Sequence, residues 1–141
     1  MKRFRPDAPV AAVEALMFRG DSVLLIRRLG EPHRGRWSPP GGAVNLGETA
    51  RRAVVREVRE ETGLRVEPRE VVDVIDVIVP RRGRPTYHYM VAVFRARPLG
   101  GRLRARSDAG EARWVRVRDL NRMDVTSATL AVVAKARAHR R

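Results

Sequence analysis

The sequence contains no cysteine. Disulfides, thiolate nucleophiles and thiolate zinc sites are therefore excluded. Lysine is nearly absent as well. Lys2 and Lys135 are the only lysines among 30 basic residues, so arginine carries almost all of the positive charge. Acids are scarce, 16 Asp and Glu in total, and the formal net charge is +14. Arginine presents a planar fork of donors that matches phosphate, where lysine is a point charge. Such a surface suits nucleotides and polyanions, although a GC-rich coding sequence would also produce it. No apolar run approaches the roughly 20 residues that cross a bilayer. The N-terminal "MKRFRPDAPV" has charge but no apolar stretch, so no signal peptide is expected. A cytoplasmic protein without membrane association is the expectation. At 141 residues and 43% hydrophobic content, one domain spanning residues 1–141 is expected, with a core of its own.

The chain shows no internal repeat and no low-complexity linker. "VAAVEALMF" (Val10–Phe18) and "SVLLIRR" (Ser22–Arg28) read as strands around a Gly20–Asp21 turn, a candidate hairpin. "GEPHRGRWSPPGG" (Gly30–Gly42) is rich in Gly and Pro and reads as a loop. From Glu48 to Thr62 neither residue occurs, which predicts a helix stopped by Gly63. β-Branched "VVDVIDVIV" (Val71–Val79) predicts a strand, and "RRGRP" after it a turn. In Thr86–Pro98, Met90, Ala92, Phe94 and Ala96 alternate with Tyr87, Tyr89, Val91, Val93, Arg95 and Arg97. Gly100–Gly101 is read as a turn, Ala112–Val117 as a strand, and the tail from Thr126 as a helix with Leu130, Val133 and Ala134 inward. Strands, helix, strands, helix predicts an α+β sandwich with a mixed sheet.

Against this basic background, "GAVNLGETARRAVVREVREETGL" (Gly42–Leu64) is dense in glutamate. Helical spacing gathers Glu57, Glu60 and Glu61 on the side that carries Ala50, Ala53 and Val54. The acids thus continue an apolar stripe. Arg52, Arg56 and Arg59 take another side, with Glu48–Arg52 and Arg56–Glu60 spaced as i, i+4 pairs. Converging carboxylates near a helix C-terminus repel one another and oppose the helix dipole. A hard, oxygen-seeking cation would neutralise them. On periodicity alone, a solvated acidic helix end paired with arginines explains the cluster equally well.

Spacing separates these readings. Gly42, Glu48, Arg56, Glu57, Val58, Glu60, Glu61, Gly63 and Leu64 match the pattern G-x5-E-x7-R-E-U-x-E-E-x-G-U, with U a bulky aliphatic residue. In this the chain resembles the Nudix hydrolases. The flanking "VLLIRR", "GRWSPPGG" and "RWV" also resemble that family. Ser38–Pro39 departs from it, standing where an aliphatic residue is usual before "PGG".

The resemblance implies a Nudix-type α/β/α sandwich with a central mixed β-sheet. It also implies metal-dependent hydrolysis of a nucleoside diphosphate linked to some moiety X, with Mg²⁺ or Mn²⁺ as cofactor. It casts Glu57 and Glu61 as metal ligands, joined by Glu60 and by a backbone carbonyl of Gly42 or its neighbour. Glu48 and Arg56 would clamp the loop to the helix and orient Glu57. Glu57 or Glu60 would serve as general base, with Glu111 the best candidate outside the motif. A homodimer is a family-level expectation only.

Arg27, Arg28 and Arg36 are candidates to bind phosphate oxygens, and Glu111 is a candidate for the same substrate site, with a solvated loop acid as the alternative. Trp37, Tyr87 and Tyr89 could stack on a base or simply pack. His88 reads as a half-buried structural residue; Asp73 or Asp76 could contact substrate or a partner subunit. The substrate is expected to be a small nucleotide, ADP-ribose-like or an (oxidised) nucleoside triphosphate, leaning to the former. A second reading is an RNA 5′-end pyrophosphohydrolase, since Arg102, Arg104 and Arg106 alternate within an arginine-rich stretch. A third is a catalytically silent nucleotide sensor, against which the intact Arg56-Glu57 and Glu60-Glu61 pairs argue.

Overall fold

A computed structural model describes residues 8–81 and 84–139. The "RRGRP" turn predicted at the head of the long hairpin has its tip outside them. The elements run β1 (Val10–Leu16), β2 (Phe18–Arg19), β3 (Ser22–Arg28), β4 (Trp37–Ser38), β5 (Gly41–Ala43), α1 (Ala50–Thr62), β6 (Leu64–Arg81), β7 (Arg84–Gly101), β8 (Ala109–Arg116) and α2 (Ser127–Ala138). A 3-10 turn, Val117–Arg122, precedes α2.

The strands form two sheets. The first is mixed and ordered β5-β1-β7-β6, with β1 parallel to β7 and antiparallel to β5. The second joins β2, β3 and β4, and β8 also pairs with β3. The predicted strand Val10–Phe18 is thus two strands, broken at Met17. β1 serves the mixed sheet, and only β2 forms the hairpin with β3 across Gly20–Asp21. The predicted loop Gly30–Gly42 contains β4 and the start of β5. The Glu48–Thr62 helix begins at Ala50, because the Thr49 hydroxyl caps it by accepting from the Arg52 N–H.

Alternation along β1 divides the core. Val13, Ala15 and Met17 pack with Leu24, Phe94 and Ala96 against Ala53, Val54 and Val58 of α1. Val10, Ala12 and Leu16 pack with Val23, Leu25, Tyr89, Val91 and Val93 against Val132, Val133 and Ala136 of α2. The helices therefore cover opposite faces, which gives the α/β/α layering. Each fully buried valine in these layers contributes roughly 1.5–2 kcal/mol. The inward face of α2 is Thr129, Val132, Val133 and Ala136. Val133 is inside as expected, whereas Leu130 and Ala134 are exposed; the apolar tail residues are too many for one face, so periodicity did not single out the buried stripe.

Gly63 ends α1 in the left-handed region, φ 78°, and its N–H bonds the Arg59 carbonyl. A β-carbon there would approach the Arg102 carbonyl oxygen to 2.6 Å. Gly63→Ala should cost about 1–3 kcal/mol from strain and crowding, read as a lower melting temperature by calorimetry.

Candidate active site

The β1–β5 ladder places Gly41 and Gly42 opposite Glu14 and Val13. Gly42 meets α1 so closely that a β-carbon would stand 2.4 Å from the Glu57 carboxyl carbon. Any side chain at this position would displace the Glu57 carboxylate. The Gly41 N–H donates to Glu61 Oε1 at 2.8 Å. The start of the motif and its helix are thereby joined through two glycines and two carboxylates.

Arg56 organises the rest. Its Nε and Nη2 donate to the two oxygens of Glu48 at 2.7 and 2.8 Å. Nη2 also donates to the Ala43 carbonyl at 3.0 Å. Nη1 donates to Glu57 at 2.8 Å and, more loosely, to Glu60 at 3.3 Å. Glu48 in turn accepts from the Asn45 N–H at 3.0 Å. One guanidinium thus ties the loop before α1 to the helix and fixes one oxygen of Glu57. The expected Glu48–Arg52 brace gives way to Glu48–Arg56, because Glu48 precedes the helix and helical spacing does not apply to it.

The three clustered acids differ in setting. Glu61 is 3% exposed; burial and the Glu57 charge push its pKa up to about 8, against the pull of the Gly41 N–H. Glu57 is raised by burial and held back by Arg56. Arg56, gripped chiefly by Glu48, holds its proton more tightly than usual. Glu60 keeps about half its side chain in solvent. Among the described residues no three acidic or imidazole side chains already stand as a metal-binding set, since Arg56 holds Glu57 and Gly41 holds Glu61. The donors nevertheless fit a hard divalent cation: they are oxygen only, Glu61 is buried, and the Glu57 charge raises its proton affinity.

The predicted phosphate-binding residues are dispersed. Arg27 pairs loosely with Glu111 at 3.4 Å, and Glu111 also lies 3.7 Å from Arg113. Arg36 is committed to Asp124 at 3.0 Å and to the Val125 carbonyl. Arg28 is 7% exposed and its Nε donates to the Pro32 carbonyl at 2.8 Å. Its charge is felt by Glu14 and, more weakly, by Glu61. Trp37 is buried under the Arg113 guanidinium, 4.6 Å from its ring centre, a packing role. Tyr87 and Tyr89 stack on each other, 6.2 Å between centroids. Asp73 and Asp76 face Lys135 at 3.4 Å and His88 at 3.8 Å within the chain.

Glu14 escaped notice in the sequence. The available signal was an acid in the middle of an apolar strand. It is 6% exposed, and burial, opposed by Arg28, raises its pKa to about 7. The folded state then binds this proton more tightly than the unfolded state does. Its contribution to stability is fully present below about pH 4.5 and is lost as pH rises through 7, on the order of 3 kcal/mol in all. Glu14→Gln should flatten that segment of the stability–pH curve, measured by urea unfolding between pH 5 and pH 8.

The NUDIX domain family model matches residues 8–135. The chain belongs to this family. It is 38% identical over 115 residues to an ADP-ribose pyrophosphatase of Methanocaldococcus jannaschii, covering 82% of this chain and 64% of that protein. It is 35% identical over 107 residues to the human 8-oxo-dGDP phosphatase NUDT18, covering 76% of this chain and 31% of the human protein. The chain thus spans about two thirds or less of the length of these curated relatives. Among solved structures, a MutT NUDIX hydrolase from Burkholderia pseudomallei superposes with a TM-score of 0.81 at 30% identity, covering 92% of this chain and 98% of that one. Nudix hydrolases work with a divalent metal ion. No helix among the described residues is long and apolar enough to cross a membrane.

Proposed function

We propose that this Nudix chain hydrolyses the pyrophosphate linkage of a small nucleotide, ADP-ribose-like or an oxidised nucleoside phosphate. The observation that carries the reading is the Arg56 network, which sets Glu57 beside Glu61 against Gly41–Gly42. ADP-ribose comes first because the Methanocaldococcus relative named for it matches most of this chain. Glu57 and Glu61 would hold Mg²⁺ or Mn²⁺, with Glu60 and the Gly42 carbonyl as further oxygen donors. The bound ion supplies charge screening, polarisation of a phosphoryl oxygen and a lower pKa for water.

The protein's own part is positioning and proton transfer. Arg56 orients Glu57, while Glu48 fixes Arg56. Glu60, the most exposed of the three acids, can accept a proton from attacking water; Glu57 is the alternative base. Glu111 lies farther out, shared between Arg27 and Arg113. Arg27 and Arg28, on the strand beside the loop, supply guanidinium groups for the diphosphate. Arg36 is the weaker candidate because Asp124 already engages it. Neither a membrane nor a second subunit enters this reading.

The test is a substrate panel with Mg²⁺ and with Mn²⁺: ADP-ribose, 8-oxo-dGTP, 8-oxo-dGDP, dinucleoside polyphosphates, NADH and 5′-triphosphorylated RNA, with products identified. Cleavage of ADP-ribose or an oxidised nucleotide at the anhydride supports the reading; no cleavage of any member contradicts it. One observation favours the RNA substrate as a second reading. Arg102, Arg104 and Arg106 are exposed, and the backbone N–H groups of Arg104 and Arg106 bond the Thr62 and Glu61 carbonyls, so the segment borders the carboxylate knot. On RNA, kcat/KM should then fall at least tenfold between 50 and 200 mM salt; a flat response would remove this alternative.

A further inference from the structure

Glu14 is an acid that the core has no structural use for. It is 6% exposed and makes no hydrogen bond or ion pair with any described residue. Burying a polar group without a partner is costly, and more so if it is charged. Its oxygens are not sealed, however. Among the described residues, the single side-chain polar atom both sealed and unpartnered is Arg137 Nη1. The Glu14 carboxylate is therefore not fully sealed.

The residue adjoins the candidate site. Gly41, the cross-strand partner of Glu14, donates its N–H to Glu61. A β-carbon on Gly41 would lie 3.0 Å from Glu14 Cγ, whereas one on Gly42 would strike the Glu57 carboxylate. Successive residues of a strand point to opposite faces. Glu14 and Glu57 thus flank the β1–β5 ladder from its two sides, and Glu14 stands outside the Glu57 cluster. Arg28, also buried, acts electrostatically on Glu14 and, more weakly, on Glu61.

We propose that Glu14 and Arg28 form a recognition pair in which the Glu14 carboxylate accepts a hydrogen bond from a neutral donor on the nucleoside part of the substrate. The donor is a base N–H or a ribose hydroxyl. An anionic carboxylate repels phosphate, so the diphosphate belongs with Arg28 and the cation, and the group facing Glu14 is uncharged. Sites built around a buried polar group discriminate strongly, because a ligand lacking the matching donor leaves that group unpaired. The proposal rests on the nucleotide-hydrolase reading above for its choice of ligand.

The test uses the full chain, with Glu14→Leu and Glu14→Gln. Wild type and variants are compared on ADP-ribose, its inosine counterpart (which lacks the 6-amino group) and its 2′-deoxy-nucleoside counterpart. Calorimetric nucleotide binding, Mn²⁺ binding and melting temperature are measured alongside. Glu14→Leu should raise KM for ADP-ribose at least tenfold with kcat within about threefold, leave Mn²⁺ affinity unchanged, and not lower the melting temperature. Glu14→Gln keeps an acceptor oxygen and should move KM less. The Glu14→Leu penalty should vanish on whichever analogue lacks the donor, which tells base from ribose. Unchanged KM and binding in Glu14→Leu would overturn the proposal, as would a loss confined to kcat and Mn²⁺ affinity. If the native protein binds ADP-ribose in a Glu14-dependent way but cleaves nothing, the hydrolase reading fails and the pair stands. If it cleaves ADP-ribose and Glu14→Leu does so with unaltered KM, the pair fails alone. If it binds no nucleotide of the set, both fail.

Discussion

Glu57→Gln should lower turnover of the substrate by at least 10³-fold while the protein stays folded. The substitution keeps the shape of the side chain and one acceptor oxygen, so the Arg56 Nη1 contact at 2.8 Å can persist. What it removes is the charge, and with it a ligand for a divalent cation. A carboxylate that positions a cation acts on ground state and transition state alike, but the charge developing at phosphorus depends on it most. The loss should therefore appear in kcat more than in KM. Thermal stability should hold or rise, because Glu57 and Glu61 repel one another and burial already disfavours the Glu57 charge. Steady-state kinetics with a melting curve on the same preparation checks both halves. A variant that melts normally and keeps more than a tenth of wild-type kcat would remove Glu57 from the chemistry.

Arg56→Met should do the reverse, harming fold and activity together. Arg56 bonds Glu48 through two nitrogens and also reaches Glu57, Glu60 and the Ala43 carbonyl. Its side chain is 26% exposed, and those of Glu48 and Glu57 are 15% and 13% exposed. Removing the guanidinium leaves two largely buried carboxylates without their counter-charge and a carbonyl without its donor. The expected cost is about 3–5 kcal/mol. Activity should fall at least 10²-fold, since Glu57 loses the group that orients it. Arg56→Lys should recover charge but not geometry, because an ammonium cannot serve Glu48 bidentately while reaching Glu57. It should melt between wild type and Arg56→Met. Saturating Mn²⁺ should raise the melting temperature of wild type, because a cation binding only the folded state stabilises it by mass action. Equal melting temperatures for all three would show that the network is ornamental to stability.

The motif was legible because a helix fixes its own geometry. Once Gly42–Leu64 was seen, the positions of Glu57, Glu60 and Glu61 on α1 and the αL stop at Gly63 followed from residue spacing. The alternation in β7 was equally readable: Phe94 and Ala96 face α1, and Tyr89, Val91 and Val93 face α2. What spacing alone could not show were contacts made at a distance. The Glu48–Arg56 clamp was legible only through the motif and not through helical spacing, because it crosses the loop–helix junction, where no repeat applies. β4 and β5 hide in a Gly- and Pro-rich stretch, because two- and three-residue strands carry too few side chains for a pattern. The break at Met17 sends one apolar run into two sheets, a choice that tertiary packing makes. Arg36 reads as a phosphate ligand in the sequence, but the fold brings Asp124 to it, and the burial of Glu14 is visible only in the fold.

The central claim is that the Glu57–Glu61 pair, braced by Arg56, drives attack of water on a nucleotide anhydride. The most direct measurement is product analysis of ADP-ribose cleavage in ¹⁸O-labelled water with Mg²⁺, run beside Glu57→Gln. The account predicts AMP and ribose 5-phosphate, with the label on one phosphate only, dependence on the divalent ion, and no products from the variant. Products formed equally by wild type and Glu57→Gln, or formed equally in excess chelator, would contradict it.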